Sequence, residues 1–397
     1  MLERPVSKAG WTRVAFGDVV RLSKARVSDP EDAGIERVVG LEHIEPGDLR
    51  IRRWGDAGGG TTFTTLFKPG QVLFGKRRAY QRKVAVADFE GVCSGDIYVL
   101  EPANDRLMPE LLPFLCQTDA FFDHAVGTSA GSLSPRTNWT SLAGFEFLLP
   151  PIQEQSRLVE VYTASNSAIE SLLDAGIELD KLEMSLLLAK FGAKYGKNPD
   201  GYDLLPLAQL AEIRTGLAKG KPCSSETIDL PYLSVANVKD GSLDLSAVKD
   251  ITVESNRVQR YSLQAGDVLM TEGGDLDKLG RGTVWQAEIP VCLHQNHVFA
   301  VRTDRSLLDP WFLAALARSV YGKSYFRKCA KRSSNLASIN KAQVSAFLVP
   351  AAPIVEQRKW LETYQEIRRQ GGQLSERIEK LRAVTKRIVE VGFTNVI

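Results

Sequence analysis

Hydrophobic residues in the middle of the chain recur at alternating steps of three and four, which predicts a helix with one long packing seam. The series continues for more than four heptads, at Leu158, Val161, Ser165, Ala168, Leu172, Ala175, Leu179, Leu182, Leu186 and Ala189. A helix of about 38 residues would be about 57 Å long.

A second series lies near the C-terminus and is interrupted by Gly371-Gly372, at Leu361, Tyr364, Ile367, Leu374, Ile378, Leu381 and Ile388. Each helix could pack on its own domain, but one small sheet would not cover a seam of this length. We therefore predict that the two helices pair with each other in antiparallel orientation.

Both helical stretches open with nearly the same residues. Pro151, Glu154 and Gln155 begin the first, and Pro353, Glu356 and Gln357 begin the second, 202 residues later. An internal repeat over this distance indicates two copies of one structural unit.

Alternating strand patterns precede each helical stretch and stay in step between the copies. Residues 36–44 correspond to 231–238, and the turn and strand at 68–74 correspond to those at 264–270. Helical spacing follows in each copy, so we predict an α+β fold with small curled β-sheets. The expected boundaries are domains at 1–150 and 198–351, with long helices at 151–197 and 352–397.

The composition indicates a folded protein in which charged partners would bind to local patches of charge. Of 397 residues, 44% are hydrophobic and 25% are charged, with 50 basic and 48 acidic residues. A polyanion would therefore bind local basic patches, since the net charge is only +2. Five widely spaced cysteines without a CxxC pair argue against disulfides or a zinc finger. With no apolar run of about 20 residues, we expect a soluble cytoplasmic protein.

The densest basic run suggests nucleic-acid contact in the first copy. It follows a predicted strand and surrounds one aromatic residue, with a second basic stretch upstream: Lys76, Arg77, Arg78, Tyr80, Arg82, Lys83, Arg52 and Arg53. A solvated loop face is the alternative.

The corresponding loop of the second copy, 271–281, mixes acidic and basic residues, including Asp275, Lys278 and Arg281. Arginine and lysine suit guanine edges, whereas carboxylates accept from the cytosine amino group, so two such loops would recognise different sequences. Positive charge in this copy gathers elsewhere, at Lys323, Arg327, Lys328, Lys331 and Arg332. These residues are also typical of a helix C-terminus. Further candidates for DNA contact are Ser129, Lys219, Lys221, Ser334 and Asn335.

Catalytic signatures are missing from the sequence. Neither Pro150-Pro151 nor Asn198-Pro199 fits the Asn/Asp-Pro-Pro-aromatic motif of amino-methyltransferases. No glycine-rich loop lies between a strand and a helix in a βαβ pattern to hold a dinucleotide or the adenosyl cofactor. Cys292, His294 and His297 have a spacing that permits a metal site, with satisfied side chains near a turn as the alternative. We expect no cofactor, no metal and no catalytic residue.

The paired Pro-Ile-x-Glu-Gln openings, the heptad helices and the Gly-(Asp/Gln)-Val-Leu strands resemble the specificity subunit of type I restriction-modification systems. The resemblance implies two target recognition domains, each recognising one part of a bipartite site in double-stranded DNA. It implies an antiparallel coiled coil that spaces them and holds two methyltransferase subunits, with nuclease and translocase subunits as further partners. Residues 128–134 and 333–340 resemble the family's turn near the phosphates.

The spacer and docking residues on this basis are Pro151, Glu154, Gln155, Leu172, Leu179, Leu186, Pro353, Glu356, Gln357, Leu374, Ile378 and Leu381. Three alternatives stay open: a two-lobed coiled-coil scaffold for proteins without a DNA role, a nuclease or methyltransferase with a degenerate site, and the specificity subunit of another phage-defence methylation system.

Overall fold

The computed structural model describes residues 8, 10–218, 225–274, 278–332 and 337–393. The chain divides into two compact units. Unit 1 contains the described residues up to Leu173 together with those from Glu376 onward, and unit 2 contains those of Asp174–Ser375. Each of the two longest helices contributes one half to each unit.

Unit 1 is built on two four-stranded sheets and one two-stranded pair. Its strands are β1 (Thr12–Ala15), β2 (Val20–Leu22), β3 (Arg37–Val39), β4 (Gly55–Asp56), β5 (Thr65–Phe67), β6 (Val72–Gly75), β7 (Val84–Val86), β8 (Gly91–Cys93), β9 (Ile97–Pro102) and β10 (Glu146–Leu149). The sheets have the orders β2-β9-β6-β7 and β4-β3-β8-β5, and β1 pairs with β10.

Four short helices lie beside these sheets before the first long helix begins. They are α1 (Phe16–Val19), α2 (Leu112–Leu115), α3 (Asp119–Gly127) and α4 (Trp139–Ala143), and the long helix is α5 (Ile152–Phe191). Aromatic rings fill the core between sheet and helices, with Phe16, Phe74 and Phe121 fully buried. The α3 helix is capped by Thr118, whose hydroxyl accepts from the Phe121 amide at 3.2 Å.

Unit 2 repeats this order of elements. Its strands are β11 (Leu204–Pro206), β12 (Ala211–Thr215), β13 (Thr227–Leu233), β14 (Lys249–Glu254), β15 (Val268–Thr271), β16 (Gly273–Gly274), β17 (Gly282–Val284), β18 (Leu293–His294), β19 (Val298–Thr303), β20 (Lys331–Arg332), β21 (Ala337–Ser338) and β22 (Leu348–Pro350). Its short helices are α6 (Val258–Tyr261), α7 (Pro310–Arg318), α8 (Val320–Cys329) and α9 (Lys341–Ser345), and the second long helix, α10 (Ile354–Phe393), begins in this unit.

Sheet connectivity shows the repeat directly. The order β12-β19-β15-β17 matches β2-β9-β6-β7, and the β11 and β22 pair matches β1 and β10. Even the parallel pairing recurs, with Val38 opposite Val92 in unit 1 and Tyr232 opposite Leu293 in unit 2. The expected α+β class with small sheets is confirmed, and both long helices have 40 residues.

Each unit contains contacts between a half of α5 and a half of α10. In unit 1 the Tyr162 hydroxyl donates to the Ile388 carbonyl oxygen at 3.3 Å. In unit 2 the Tyr364 hydroxyl donates to the Glu183 carboxylate at 3.1 Å, and the rings of Phe191 and Trp360 lie 5.3 Å apart. Early residues of α5 therefore meet late residues of α10, and the reverse. Both helices also pack on the sheets and helices of their units. For example, the ring centroids of Tyr162 and Phe114 lie 4.8 Å apart.

The seam of α5 differs by one residue from the prediction at alternate positions. The buried positions are Gln155, Tyr162, Ile169, Glu183, Leu187 and Phe191, whereas Val161 and Leu182 are 44% and 51% exposed. The predicted positions Leu158, Leu172, Leu179 and Leu186 are half-buried. Hydrophobicity alone does not identify Gln155 and Glu183 as buried positions, because both are polar. They are buried because they form hydrogen bonds with other segments of the chain. In α10 all the predicted seam residues are at least half-buried, and the helix continues through Gly371-Gly372.

Among the described residues, none of the helices combines the length and the hydrophobicity that a membrane span requires.

Candidate nucleic-acid interface

The end of β6 in unit 1 is joined to a loop that is distant in sequence. The Arg78 amide donates to the Pro135 carbonyl at 2.7 Å, and the Thr137 amide donates to the Lys76 carbonyl at 3.0 Å. Arg136 forms isolated bridges with both Arg77 and Ala130. We call residues 76–78, Asp96 and 130–137 the unit 1 bridge.

The unit 1 bridge carries four cations and one carboxylate, which contacts two of them. Asp96 accepts from Arg136 at 2.7 Å and from Arg77 at 3.2 Å. The Ser134 hydroxyl oxygen accepts from Arg77 at 3.0 Å and from Arg78 at 3.3 Å. The Lys76 ammonium group lies 4.6 Å from the ring centroid of Tyr98. The result is a cluster of preorganised hydrogen-bond donors with net positive charge.

Protonation equilibria follow from this packing. Burial favours the neutral form of Asp96, but the hydrogen bonds from Arg136 and Arg77 outweigh it, so the pKa of Asp96 lies below its usual value. Desolvation lowers the pKa of Lys76, and Asp96 partly offsets that effect. The Asp96 carboxylate is therefore ionised at neutral pH and holds two guanidinium groups in place.

Two residues, one in the unit 1 bridge and one four residues after it, have left-handed backbone conformations. Arg78 and Arg82 have φ values of 53° and 55°, at either end of a single 3-10 turn, Ala79–Gln81. Residues other than glycine adopt this region infrequently, and such strain concentrates at functional sites. The turn presents Tyr80, whose side chain is 56% exposed, beside the cations.

Unit 2 contains the same backbone arrangement with different side chains. The Glu272 amide donates to the His297 carbonyl at 2.9 Å, as the Lys76 amide donates to the Asp96 carbonyl at 3.0 Å. Strand β16 pairs with β21, and β21 pairs with β20. We call Glu272, Gly273–Gly274, 296–297 and these strands the unit 2 bridge.

In the unit 2 bridge the acidic residue is on the other strand: Glu272 stands where unit 1 has Lys76, and His297 stands where unit 1 has Asp96. His297 Nδ1 lies 2.6 Å from Glu272 Oε2, and the Asn296 amide nitrogen lies 3.4 Å from His297 Nε2. Glycines 273 and 274 occupy the positions of Arg77 and Arg78. Where unit 1 offers guanidinium donors, unit 2 offers a carboxylate and an imidazole.

The structure brings together Lys76, Arg77, Arg78 and Tyr80 of the predicted basic surface, and it places Ser129 at the end of α3, where its hydroxyl donates to the Ala125 carbonyl at 2.7 Å. The remaining predicted cations of unit 1 have partners within the unit. Arg52 pairs with Asp48 at 2.7 Å, Arg53 with Glu45, Arg82 with Asp119 at 2.6 Å, and Lys83 donates to the Leu41 carbonyl at 2.6 Å.

The predicted residues of unit 2 are more scattered. Lys323 pairs with Asp240 at 3.0 Å, and Arg327, Lys328 and Lys331 are exposed at the end of α8 and in β20. The carbonyls of Lys278 and Arg281 accept from the Thr271 hydroxyl at 3.0 and 3.4 Å. Lys219, Lys221, Asp275, Ser334, Asn335 and the side chain of Arg332 lie outside the described residues.

Sequence reasoning did not name Asp96, Arg136, Glu272, Asn296 or His297 as residues for DNA contact, although it considered His297 as a metal ligand and the loop that contains Glu272. Asp96 and His297 directly precede the equivalent strands β9 and β19, so aligning the two repeats would have paired them. Arg136 carried no such signal because it is isolated from other basic residues in the sequence.

The glutamine of each helix opening is buried and fully hydrogen-bonded. Gln155 donates to the carbonyls of Arg106 and Pro150, at 2.7 and 2.9 Å, and accepts from the Met108 amide at 2.9 Å. Gln357 donates to the carbonyls of Leu307 and Ala352, both at 2.8 Å, and accepts from the Asp309 amide at 2.9 Å. These side chains fix each helix to its own unit.

The other predicted spacer residues lie at or beside these contacts. The carbonyls of Pro151 and Pro353 accept from the amides of the first helical turn, including those of Glu154 and Glu356. The Glu154 carboxylate pairs with Arg157 at 2.9 Å, and that of Glu356 accepts from the Tyr202 hydroxyl. Ile378 is buried, and Leu374 and Leu381 are half-buried.

No cluster of three or more histidine, cysteine, aspartate or glutamate side chains in the described part of the chain is placed to hold a metal ion. His294 is buried, with Nδ1 2.7 Å from the Val298 carbonyl oxygen, and burial raises the pKa of the Cys292 thiol to about 12. The Cys-x-His-x-x-His segment therefore consists of satisfied side chains, the alternative given for it above.

Comparison with known proteins finds relatives in sequence and in structure. A protein of Methanocaldococcus jannaschii, named as the type I restriction enzyme MjaX specificity subunit, is 25% identical over 203 residues, which are 50% of this chain and 47% of that protein. The type I restriction enzyme EcoDI specificity subunit of Escherichia coli is 26% identical over 209 residues, 50% of this chain and 46% of its own length. The chain thus spans about half the length of the curated relatives it matches. No family model matches it.

Solved structures share the fold along nearly the whole chain. The S subunit of a type I restriction-modification system from M. genitalium is 12% identical, with a TM-score of 0.59 over 98% of this chain and 97% of that one. A chain from a type I R-M system complex is 19% identical, with a TM-score of 0.54 over 96% and 97%. The resemblance to type I specificity subunits expected from the sequence is confirmed.

Proposed function

We propose that this chain, which resembles type I specificity subunits in sequence and fold, is the non-catalytic DNA specificity subunit of a restriction-modification complex. Domains 1–150 and 198–351 each recognise one part of a bipartite site in double-stranded DNA. Helices α5 and α10 form an antiparallel coiled coil that sets the distance between them. Two methyltransferase subunits dock on the helices, and restriction subunits complete the assembly.

The observation that carries this proposal is the bridge that is built twice with opposite side chains. The backbone hydrogen bond from Lys76 to Asp96 recurs from Glu272 to His297, whereas the charges of the side chains at these positions differ. A duplicated scaffold with variable tips is what two recognition domains for unlike sequences require, since specificity resides in the few side chains that reach base edges.

The unit 1 bridge has the donors that guanine recognition requires. Arginine binds guanine O6 and N7 in a bidentate manner in the major groove, and lysine neutralises phosphates. Asp96 and Ser134 restrain Arg77, Arg78 and Arg136, so less side-chain entropy is lost on binding. Tyr80 adds an exposed ring next to these donors.

The length of the helices fits a spacer. Forty residues at 1.5 Å per residue give about 60 Å, and one turn of DNA is about 34–36 Å long. The contacts of Tyr162 with Ile388 and of Glu183 with Tyr364 support the antiparallel pairing, because they join opposite ends of the two helices.

The direct test is selection of duplexes from a random library by the chain in complex with its methyltransferase partner. We expect a motif with two defined parts separated by unspecified bases, and binding that weakens steeply with salt. The chain alone should not bind the adenosyl cofactor of the methyltransferase. Binding without sequence preference, or a single uninterrupted motif, would contradict the proposal.

A further inference from the structure

The unit 2 bridge presents hydrogen-bond acceptors on an exposed surface. The Glu272 side chain is 27% exposed and that of His297 is 54% exposed. A carboxylate only accepts hydrogen bonds, so His297 Nδ1 carries the hydrogen in their 2.6 Å contact. In the neutral imidazole the other nitrogen, Nε2, is then an acceptor.

Asn296 is consistent with this tautomer. Its amide nitrogen lies 3.4 Å from His297 Nε2, the geometry of a donor directed at an acceptor. The site thus presents the Glu272 carboxylate as an acceptor, with the His297 ring hydrogen-bonded to it and one amide beside them. In the unit 1 bridge, by contrast, two guanidinium groups donate to a single carboxylate.

The two residues after Glu272 have no side chains beyond the backbone. Gly273 and Gly274 have no side chains where unit 1 has Arg77 and Arg78, and Gly274 has a φ of +143°, a conformation that favours glycine. Backbone without side chains allows a ligand to approach closely. Residues 273 and 274 therefore place no side chain over the partly exposed Glu272 carboxylate.

We infer that the unit 2 bridge binds the exocyclic amino group of a DNA base, adenine N6 or cytosine N4, through Glu272 positioned by His297. This inference rests on the proposed function and specifies it further. These amino groups are the donors that bases expose in the major groove, and acidic side chains accept from the cytosine amino group there. The half-site of unit 2 therefore contains an amino-bearing base at a position where guanine or thymine is rejected.

Glu272 also disfavours DNA that lacks a matching donor. A carboxylate close to the phosphate backbone is repelled unless the amino group compensates, so Glu272 discriminates by repulsion as well as by attraction. Removing it should weaken selectivity and at the same time strengthen binding to unrelated duplexes. A residue with a structural role alone would not produce these opposite changes.

The test begins with the bipartite motif selected by the wild-type complex, followed by the motifs of Glu272→Ala and Glu272→Gln. We expect Glu272→Ala to reduce the preference at one position of one half-site by roughly 10- to 100-fold and to leave the other half-site unchanged. Glu272→Gln, which is nearly isosteric, should tolerate guanine or thymine at that position, because its amide group can donate a hydrogen bond to the acceptor oxygens of these bases. His297→Ala should give a smaller loss of the same preference. Glu288→Gln, an exposed acidic residue of the same unit, is the matched control.

Base analogues separate the two possible bases. Replacing adenine by purine, or cytosine by 2-pyrimidinone, removes only the amino group, and one of them should reproduce the loss in wild type without any further effect in Glu272→Ala. If the complex selects a bipartite motif that Glu272→Ala and Glu272→Gln leave unchanged while both variants melt like wild type, the inference is wrong and the proposed function stands. If wild type selects no motif at all, the proposed function itself fails.

Discussion

Gln155 and Gln357 make the same three hydrogen bonds in the two units, each donating to two backbone carbonyls and accepting from one backbone amide. Both side chains are at most 1% exposed. They were predicted as spacer and docking residues by resemblance, and the structure adds a physical reason for the repeated Glu-Gln: the glutamine fastens the start of a 40-residue helix to the unit that precedes it.

Replacing Gln155 by Ala should lower the free energy of unfolding of unit 1 by about 3 kcal/mol, since buried backbone groups lose their partners. Gln357→Ala should have a similar effect in unit 2. Chemical denaturation with fluorescence detection measures both losses. The control is Gln153→Ala, an exposed neighbour on α5. Melting of both variants like that control would refute the fastening role.

The sequence predicted the repeat, the strand positions and the helix openings, because these depend on local periodicity and turn residues. It did not predict that Glu183 would lie in the seam. Glu183 is 4% exposed and is satisfied by Arg318 at 2.9 Å and by Tyr364. Such partners come from distant segments, so hydrophobicity alone selected Leu182.

The same limit applies to the candidate interface. The basic run at 76–83 was evident, but the side chains that organise it, Asp96 and Arg136, are separated from it in the sequence and meet it only through the fold. Periodicity gives the elements, whereas the pairing of loops depends on tertiary structure.

Glu183 allows a test of the buried charges in unit 2. Glu183→Ala should destabilise the unit by about 3 to 5 kcal/mol, because it leaves the partly buried Arg318 with fewer compensating charges. Asp240 lies 3.1 Å from Arg318 and still compensates part of its charge in this variant, so we expect a loss near the lower end of that range. The control is Glu178→Ala, also on α5, whose exposed pair with Lys181 should contribute no more than about 0.5 kcal/mol. Equal losses in the two variants would contradict the account of the seam.

Asp96 should give unit 1 a pH-dependent stability. Its pKa is lower in the folded state than the ordinary 3.8, so the ionised form stabilises the fold above that value. This contribution is lost as the pH falls through the folded pKa. Denaturation at a series of pH values should show wild type more stable than Asp96→Asn at neutral pH and a difference that shrinks below about pH 4. A stability difference that grows on acidification would contradict a lowered pKa of Asp96 in the folded state.

Arg77→Ala combined with Arg78→Ala should reduce selectivity for one half-site by roughly 10- to 100-fold and leave the other half-site intact. The measurement is competition between duplexes altered in one half at a time, at constant salt. Arg13→Ala combined with Arg21→Ala removes two cations from the same unit, away from the bridge, and should change binding equally for all duplexes. Equal losses at both half-sites in the first variant would argue against separate recognition.

The central claim is that helices α5 and α10 set the distance between two recognition units. Inserting one heptad into each helix, after Leu173 and after Ser375, adds about 10.5 Å at 1.5 Å per residue, or about three base pairs at 3.4 Å. Motif selection with this variant tests the claim most directly. We predict the same two half-sites with a gap longer by about three base pairs. An unchanged gap with the same half-sites would contradict it.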